Sequence, residues 1–271
     1  MHVIAVIAAK GGVGKTTVTA NLCTTLAEAG HQVLAIDMDP QNALRFHLSN
    51  DIQACESGLA SALTGERSWT EVIQPGRAGA LLLPFGTVDD QHQIELEQFL
   101  AASPTWLGDT LASFALPPHT IVLIDTPPGP SVYLQQTLRV TNFNVVTMLP
   151  DAGSFATLPI TNRMIEKYCT PRTDFFGNGY LVNQVDPGKR LNRDILDALR
   201  TDLGSQMLGV VHQDQAVSEA LASALTVRSY APYSQAAQDF SECTQVLLQR
   251  LSVPARTDAP ATDLSSATPT D

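Results

Sequence analysis

A glycine-rich segment near the amino terminus carries two lysines and two threonines, residue types that bind phosphate. It reads Ala9-Lys10-Gly11-Gly12-Val13-Gly14-Lys15-Thr16-Thr17. Glycines let a loop turn tightly and bring backbone N–H groups close to phosphate oxygens. Lysine adds a positive charge near the terminal phosphates, and the hydroxyl of the following threonine can coordinate Mg²⁺. The segment therefore predicts binding of a nucleoside triphosphate together with Mg²⁺.

The flanking sequence matches the context that such a loop needs. An apolar, β-branched run at residues 3–7 predicts a buried strand, and residues 16–29 carry Val18, Leu22 and Leu26 at helical spacing. A loop between a strand and a helix directs consecutive N–H groups and the positive helix end at one anion. The alternative, a glycine-rich turn without a ligand, leaves the flanking strand, both lysines and the paired threonines unexplained.

Two later strands are expected to end in acids. Residues 33–36 predict a buried strand that ends in Asp37-Met38-Asp39-Pro40-Gln41, and residues 120–124 predict another that ends in Asp125. Carboxylates at the carboxyl ends of parallel strands project into the crevice where ligands of such sheets lie. Taken alone, Asp37 and Asp39 would be interpreted by default as turn-forming residues before proline. Behind a phosphate loop, we favour the ligand site.

The remaining chain alternates predicted strands and helices. A strand running into a turn is expected at residues 81–86, and further strands near residues 144–149, 179–184 and 207–211, with helices between them and a last helix near residues 235–251. This order predicts the α/β fold class: a doubly wound, mainly parallel sheet with helices on both faces, typical of P-loop NTPases.

Composition excludes several kinds of protein. The 271 residues carry a formal net charge of −11, which argues against general nucleic-acid binding; the one local basic cluster is Lys189 to Arg193. Four widely spaced cysteines indicate neither a disulfide framework nor a zinc site. No run of eighteen apolar residues is present and the first residues do not form a signal peptide, so we expect a cytoplasmic protein.

One domain is expected over residues 1–251. Residues 252–271 are rich in Pro, Ser, Thr, Ala and Asp and predict a disordered acidic tail. The tail lacks the basic amphipathic pattern of a membrane-surface helix, so we expect no direct membrane insertion.

The loop resembles the deviant Walker A motif of the ParA/MinD family of ATPases, in which a second lysine, here Lys10, reaches a partner's nucleotide. The resemblance implies that Asp37 lies near Mg²⁺ and Asp39 orients the attacking water. It also implies that Asp125, which precedes Thr126-Pro127-Pro128-Gly129, serves as the Walker B acid. Asn183 matches an asparagine that contacts adenine in the family; capping of a turn is an equal alternative. His212 stands where the family has proline.

A narrower resemblance points to one branch of that family. Segments 62–69, 82–86 and 212–222, in this order, resemble the BcsQ family of cellulose biosynthesis ATPases. This resemblance implies a role in bacterial cellulose synthesis and secretion. It also implies a small, BcsR-like partner protein, contacts with cellulose synthase components, and recruitment to the inner membrane through such partners.

These expectations combine into a nucleotide-switched homodimer. Lys10, Lys15 and Asp39 are the predicted catalytic residues, residues 10–17 and Asn183 are predicted to bind ATP, and the predicted magnesium site comprises Thr16, Asp37 and Asp125. Lys10 supplied by the partner would stabilise the transition state only within the dimer. Two rivals remain: a ParA-type DNA- or cargo-segregation ATPase, and a scaffold that holds nucleotide without hydrolysing it.

Overall fold

Eight strands form one sheet in the computed structural model, which describes residues 1–251. Their spatial order is β3-β4-β2-β5-β1-β6-β7-β8, and all pairs except β3–β4 are parallel. The predicted doubly wound, mainly parallel sheet is confirmed, while the predicted tail lies outside the described residues. The strands are His2–Ile7 (β1), Val33–Asp37 (β2), Gln74–Pro75 (β3), Leu81–Leu83 (β4), Ile121–Asp125 (β5), Phe143–Met148 (β6), Gly177–Val185 (β7) and Met207–His212 (β8).

Helices cover both faces of this sheet. They are required because successive residues of a strand point to opposite faces and both sets are apolar. In β1, Ile4 and Val6 pack into one hydrophobic layer, and the residues next to them in sequence pack on the opposite face. The α-helices of the described chain are Lys15–Glu28 (α1), Arg45–Leu48 (α2), Leu59–Leu63 (α3), Trp69–Val72 (α4), Asp90–Ala102 (α5), Trp106–Ser113 (α6), Val132–Leu138 (α7), Ala152–Tyr168 (α8), Arg190–Leu203 (α9), Gln215–Ala222 (α10), Val227–Tyr230 (α11) and Gln235–Leu251 (α12).

The central strands are buried throughout. β2, β5 and β6 expose no residue, so their apolar runs fit a parallel sheet covered on both sides. Helices α1 and α12 pack together over one face, where the hydroxyls of Thr25 and Thr244 meet at 2.5 Å. All four cysteines are buried free thiols. Within residues 1–251, no helix has the length and apolar character needed to cross a membrane.

Gly58, just before α3, has no space for a side chain. A Cβ there would lie 2.3 Å from the Pro84 carbonyl oxygen and 2.6 Å from the Gly86 nitrogen, so backbone would have to move. We expect Gly58→Ala to lower the free energy of unfolding by about 3 kcal/mol, measured by urea denaturation. Gly108→Ala, inside α6, is the control; its Cβ would make an ordinary contact and should be neutral or stabilising. Equal stabilities for the two variants would contradict this packing.

Candidate nucleotide site

The predicted functional segments converge at the carboxyl edge of the parallel sheet. The phosphate loop follows β1, Asp37 ends β2 and Asp125 ends β5. β1 lies between β5 and β6, and the chain crosses from it to β2 on one side and reaches β6 on the other. The chain therefore adds strands in opposite directions on the two sides of β1. A crevice forms at the strand ends at such a point, and ligands of open parallel sheets bind there. The order of strands thus brings together residues far apart in sequence.

The phosphate loop has the backbone of an anion cradle. Gly12 and Gly14 have φ values of 73° and 87°, and α1 begins immediately afterwards at Lys15. A Cβ on Gly14 would lie 2.4 Å from the Asn183 side-chain nitrogen, while one on Gly12 would meet nothing within 4 Å. Glycine is thus needed at Gly14 for both conformation and space. The open side at Gly12 faces away from the packed chain, as a phosphate-binding surface must.

Thr16 and Asp125 lie together at the mouth of the loop. The Thr16 hydroxyl donates to one oxygen of the Asp125 carboxylate at 2.6 Å, and the Thr19 hydroxyl donates to the other at 3.0 Å. These oxygen donors suit Mg²⁺, which prefers one or two protein ligands together with water and substrate phosphates. The described residues contain no group of three or more acids, histidines or cysteines arranged to hold a metal unaided. The chemistry of the donor set therefore fits Mg²⁺ that arrives with a nucleotide.

Asp37 holds the segment that carries Asp39. Its two carboxylate oxygens accept from the backbone N–H groups of Asp39 and Leu44, each at 3.0 Å. Asp39 is 8 % exposed and accepts from the Gln41 N–H. Asp37 lies directly opposite Asp125 in the β2–β5 pairing. Asp37 therefore organises the turn, and Asp39 lies near the entrance of the site.

Burial is the largest influence on the pKa values of Asp37, Asp125 and Lys15. It raises the pKa of Asp37 well above its usual value, helped by the Asp125 charge and opposed by two backbone N–H groups. It raises the pKa of Asp125 to about 6, although the Thr16 hydroxyl and the Lys15 charge oppose the change. Burial also lowers the pKa of Lys15, which is 7 % exposed. Two buried acids with one buried lysine leave the site short of positive charge.

Lys10 forms an ion pair with Asp151. The ammonium of Lys10 lies 2.6 Å from the carboxylate of Asp151, and both side chains are just over one-third exposed. The other oxygen of Asp151 accepts from the Ser154 N–H and caps α8. Burial acts to raise the pKa of Asp151, but these hydrogen bonds outweigh it and lower the pKa. Sequence reasoning missed Asp151, whose only signal was its position after an apolar strand.

An open cavity of about 460 Å³ continues from the loop towards β7 and β8. Asn183, the predicted base contact, lines it and donates from its amide to the Val13 carbonyl at 2.8 Å. His212 also lines it, and its ring nitrogen Nδ1 lies 2.9 Å from the carboxylate of Asp239. Gln184 and Asp239 were not anticipated, because their positions depend on strand irregularity and on packing of α12.

The carboxylate cluster yields a prediction about stability. Because the pKa of Asp125 is raised to about 6 in the folded chain, folding binds protons between pH 4 and 6, and stability falls as pH rises through that range. Without Mg²⁺ and nucleotide, Asp125→Asn should raise the free energy of unfolding at pH 7 by about 2 kcal/mol. It should also reduce the loss of stability that the parent shows as pH rises from 4 to 6. Urea denaturation at several pH values measures both effects. A variant less stable than the parent at pH 7 would contradict the electrostatic account.

Comparison with known proteins identifies the family of this chain. A family model described as cellulose biosynthesis protein BcsQ matches residues 1–248. The protein of that name from Salmonella typhimurium is 25% identical over 240 residues, which cover 88% of this chain and 91% of that protein. The chromosome partitioning protein ParA of Caulobacter vibrioides is 29% identical over 226 residues, with coverage of 81% and 84%.

A solved structure shares the fold at low sequence identity. It is the septum site-determining protein MinD of Pyrococcus horikoshii complexed with Mg-ADP, with a TM-score of 0.69 and 22% identity, covering 93% of this chain and 97% of that chain. The family match is consistent with the phosphate loop, its second lysine and the acids at the strand ends. The chain belongs to the BcsQ family, within the ParA/MinD group of P-loop ATPases.

Proposed function

We propose that this protein is an ATP-dependent switch that dimerises around ATP and Mg²⁺, hydrolyses ATP slowly, and serves a bacterial cellulose synthesis and secretion machinery. One observation carries the proposal. Lys15, Thr16 and Asp125 meet at the mouth of one glycine loop, while a second loop lysine, Lys10, lies outside that group and is partly exposed. Such a pair of lysines suits a site that is completed by a second subunit.

Binding is assigned to groups that the fold already holds in place. The N–H groups of residues 11–16 surround the phosphates, Lys15 neutralises charge on them, and the Thr16 hydroxyl with Asp125 holds Mg²⁺ directly or through water. Bound Mg²⁺ supplies charge compensation for the phosphates and for the buried acids. Asn183, fixed above Gly14, places the base end of the nucleotide in the cavity beyond.

Hydrolysis requires a positioned water more than covalent help from the protein. Asp39 is the candidate for that role, because its segment is anchored by Asp37 at the entrance of the site. Lys15, and Lys10 from a second subunit, would neutralise charge that develops on the transferred group. Turnover should be slow while Lys10 remains bound to Asp151 within its own subunit.

The cellulose role has the family match and the narrower sequence motifs in its favour. It includes a small, BcsR-like partner protein and cellulose synthase components, which would recruit the switch to the inner membrane. Loss of the gene should reduce cellulose secretion in the cell of origin, and a copy carrying Lys15→Ala should fail to restore it. Full restoration by that copy would favour a scaffold that needs no nucleotide.

Similarity to ParA leaves DNA segregation as the second candidate. The net charge of −11 argues against it, because DNA binding releases counterions through clustered lysines and arginines. Binding of nonspecific DNA that appears only with ATP and disappears with added salt would favour that function instead.

The switch is tested by molecular mass and phosphate release measured on one sample. Light scattering with ATP and Mg²⁺, with ADP, and without nucleotide should show a dimer only with ATP, which decays as phosphate appears. A dimer that forms in all three conditions and releases no phosphate would contradict the switch.

Lys10→Ala tests the role of the second lysine. We expect hydrolysis to fall by about 100-fold or more, because the charge supplied across the interface is lost, while the monomer still binds nucleotide through Lys15. Phosphate release and nucleotide titration measure the two properties. Lys189→Ala, at an exposed position, is the matched control. Unchanged hydrolysis in Lys10→Ala would exclude the cross-subunit role.

Asp151→Asn tests whether the ion pair restrains Lys10. Asparagine also caps helices, so α8 should be retained while Lys10 loses its charged partner. A partly exposed pair contributes about 1 kcal/mol or less, so the dimer should form at an ATP concentration lower by up to about fivefold. Light scattering across an ATP titration measures this shift. A higher ATP requirement, with α8 intact by circular dichroism, would show that Asp151 instead helps dimerisation.

A further inference from the structure

Tyr133, in the first turn of α7, carries a buried hydroxyl that lacks a hydrogen bond. The residue is 2% exposed, and within residues 1–251 its hydroxyl oxygen has no hydrogen-bond partner. Folded proteins pair nearly all such groups, because burying an unpaired hydroxyl costs stability. Tyr180, also buried, follows the rule and donates to the side-chain oxygen of Asn162 at 3.1 Å. The hydroxyl of Tyr133 therefore requires an explanation other than packing.

Two carboxylates act on this hydroxyl. Burial raises the pKa of Tyr133 well above its usual value, and the negative charges of Glu97 and then Asp39 add to the effect. Glu97, on α5, is near enough for this influence but does not form a hydrogen bond of ordinary geometry with the hydroxyl. Tyr133 thus keeps its proton and is a hydrogen-bond donor close to acids.

The fold brings Tyr133 and Asp39 to the same part of the molecule. Asp39 follows β2 and Tyr133 follows β5, and these two strands are parallel neighbours. The ring of Tyr133 packs edge-on against Phe85, with centroids 5.6 Å apart and an interplanar angle of 80°. The Phe85 N–H donates to the Asn42 side-chain oxygen at 3.1 Å, and the Asn42 N–H donates to the Asp39 carbonyl at 2.8 Å. Direct contacts therefore connect the two residues.

Asn42 fixes this connection. It has a φ of 50°, a left-handed conformation that asparagine tolerates better than most residues. Its side-chain amide is engaged at both ends, because its nitrogen donates to the Cys55 carbonyl at 3.0 Å while its oxygen accepts from Phe85. The turn that carries Asp39 is thus held in a defined position relative to the ring of Tyr133.

We propose that Tyr133 is a positioning residue for hydrolysis, whose hydroxyl donates to the Asp39 carboxylate, directly or through one water molecule, when ATP and Mg²⁺ are bound. The inference rests on the proposed hydrolysis and adds a residue that acts through Asp39. One oxygen of Asp39 accepts from the Gln41 N–H at 3.0 Å, and the other accepts from no described residue. A carboxylate oxygen can accept two hydrogen bonds, so this second oxygen can hold both the hydroxyl and the attacking water.

This role predicts opposite effects on rate and on stability. A hydrogen bond that is made only in the hydrolysing state raises kcat without tightening ATP binding. Outside that state the hydroxyl is buried and unpaired, so its removal should not destabilise the chain. A purely structural role for the hydroxyl predicts the reverse, a lower stability with unchanged kcat.

Phosphate release, ATP titration and thermal unfolding of the full chain test the proposal. Tyr133→Phe should lower kcat about tenfold, change ATP affinity by less than about twofold, and leave the thermal midpoint equal or higher. Tyr180→Phe is the matched control; it removes a buried hydroxyl that is bonded, so its midpoint should fall while hydrolysis is unchanged. Glu97→Gln should also leave hydrolysis unchanged, because Tyr133 acts through Asp39.

The outcomes separate this inference from the function on which it rests. A parent that hydrolyses ATP and a Tyr133→Phe variant that matches it would overturn the positioning role and leave the switch intact. An equal loss of kcat in Glu97→Gln would assign the hydroxyl to Glu97 and overturn the role as well. A lower kcat accompanied by a lower midpoint in Tyr133→Phe would also overturn it, since structural damage explains both. A parent that binds ATP and releases no phosphate would overturn both the hydrolysis and this inference.

Discussion

Two acids buried side by side impose the main physical constraint on this structure. Asp37 and Asp125 end neighbouring strands, face each other in the β2–β5 pairing and are fully buried, while Lys15 is the nearby cation. Like charges at this separation repel strongly where water is excluded. Hydroxyls of Thr16 and Thr19 and backbone N–H groups around Asp37 partly compensate. The remaining deficit of positive charge makes a divalent cation the natural complement.

The sheet is what keeps those acids together. Strands β2, β5, β1 and β6 are covered by helices on both sides, so neither carboxylate can move towards water without breaking pairing in the core. The same rigidity fixes the phosphate loop, which leaves β1 and enters α1 within a few residues. Packing in the rest of the core compensates for the unfavourable electrostatics of these buried acids.

Sequence was most informative where function resides in consecutive residues. The phosphate loop and the acids of β2 and β5 could be predicted because backbone conformation and strand burial are local properties. The partners of those residues could not, since Lys10 meets Asp151 across 141 positions and Asn183 meets Val13 across 170. Helix α5 was also missed, because only Leu96 and Leu100 are buried along its 13 residues and its apolar periodicity is weak.

Asp151 serves two structures at once, as one oxygen caps α8 and the other holds Lys10. In the proposed dimer, movement of Lys10 to a neighbouring subunit would leave the carboxylate of Asp151 without its ion-pair partner at the first turn of α8. Phe155 and Ile160, further along that helix, are 43% and 39% exposed. Under that proposal, one shared carboxylate would connect occupancy of the phosphate loop to the start of α8.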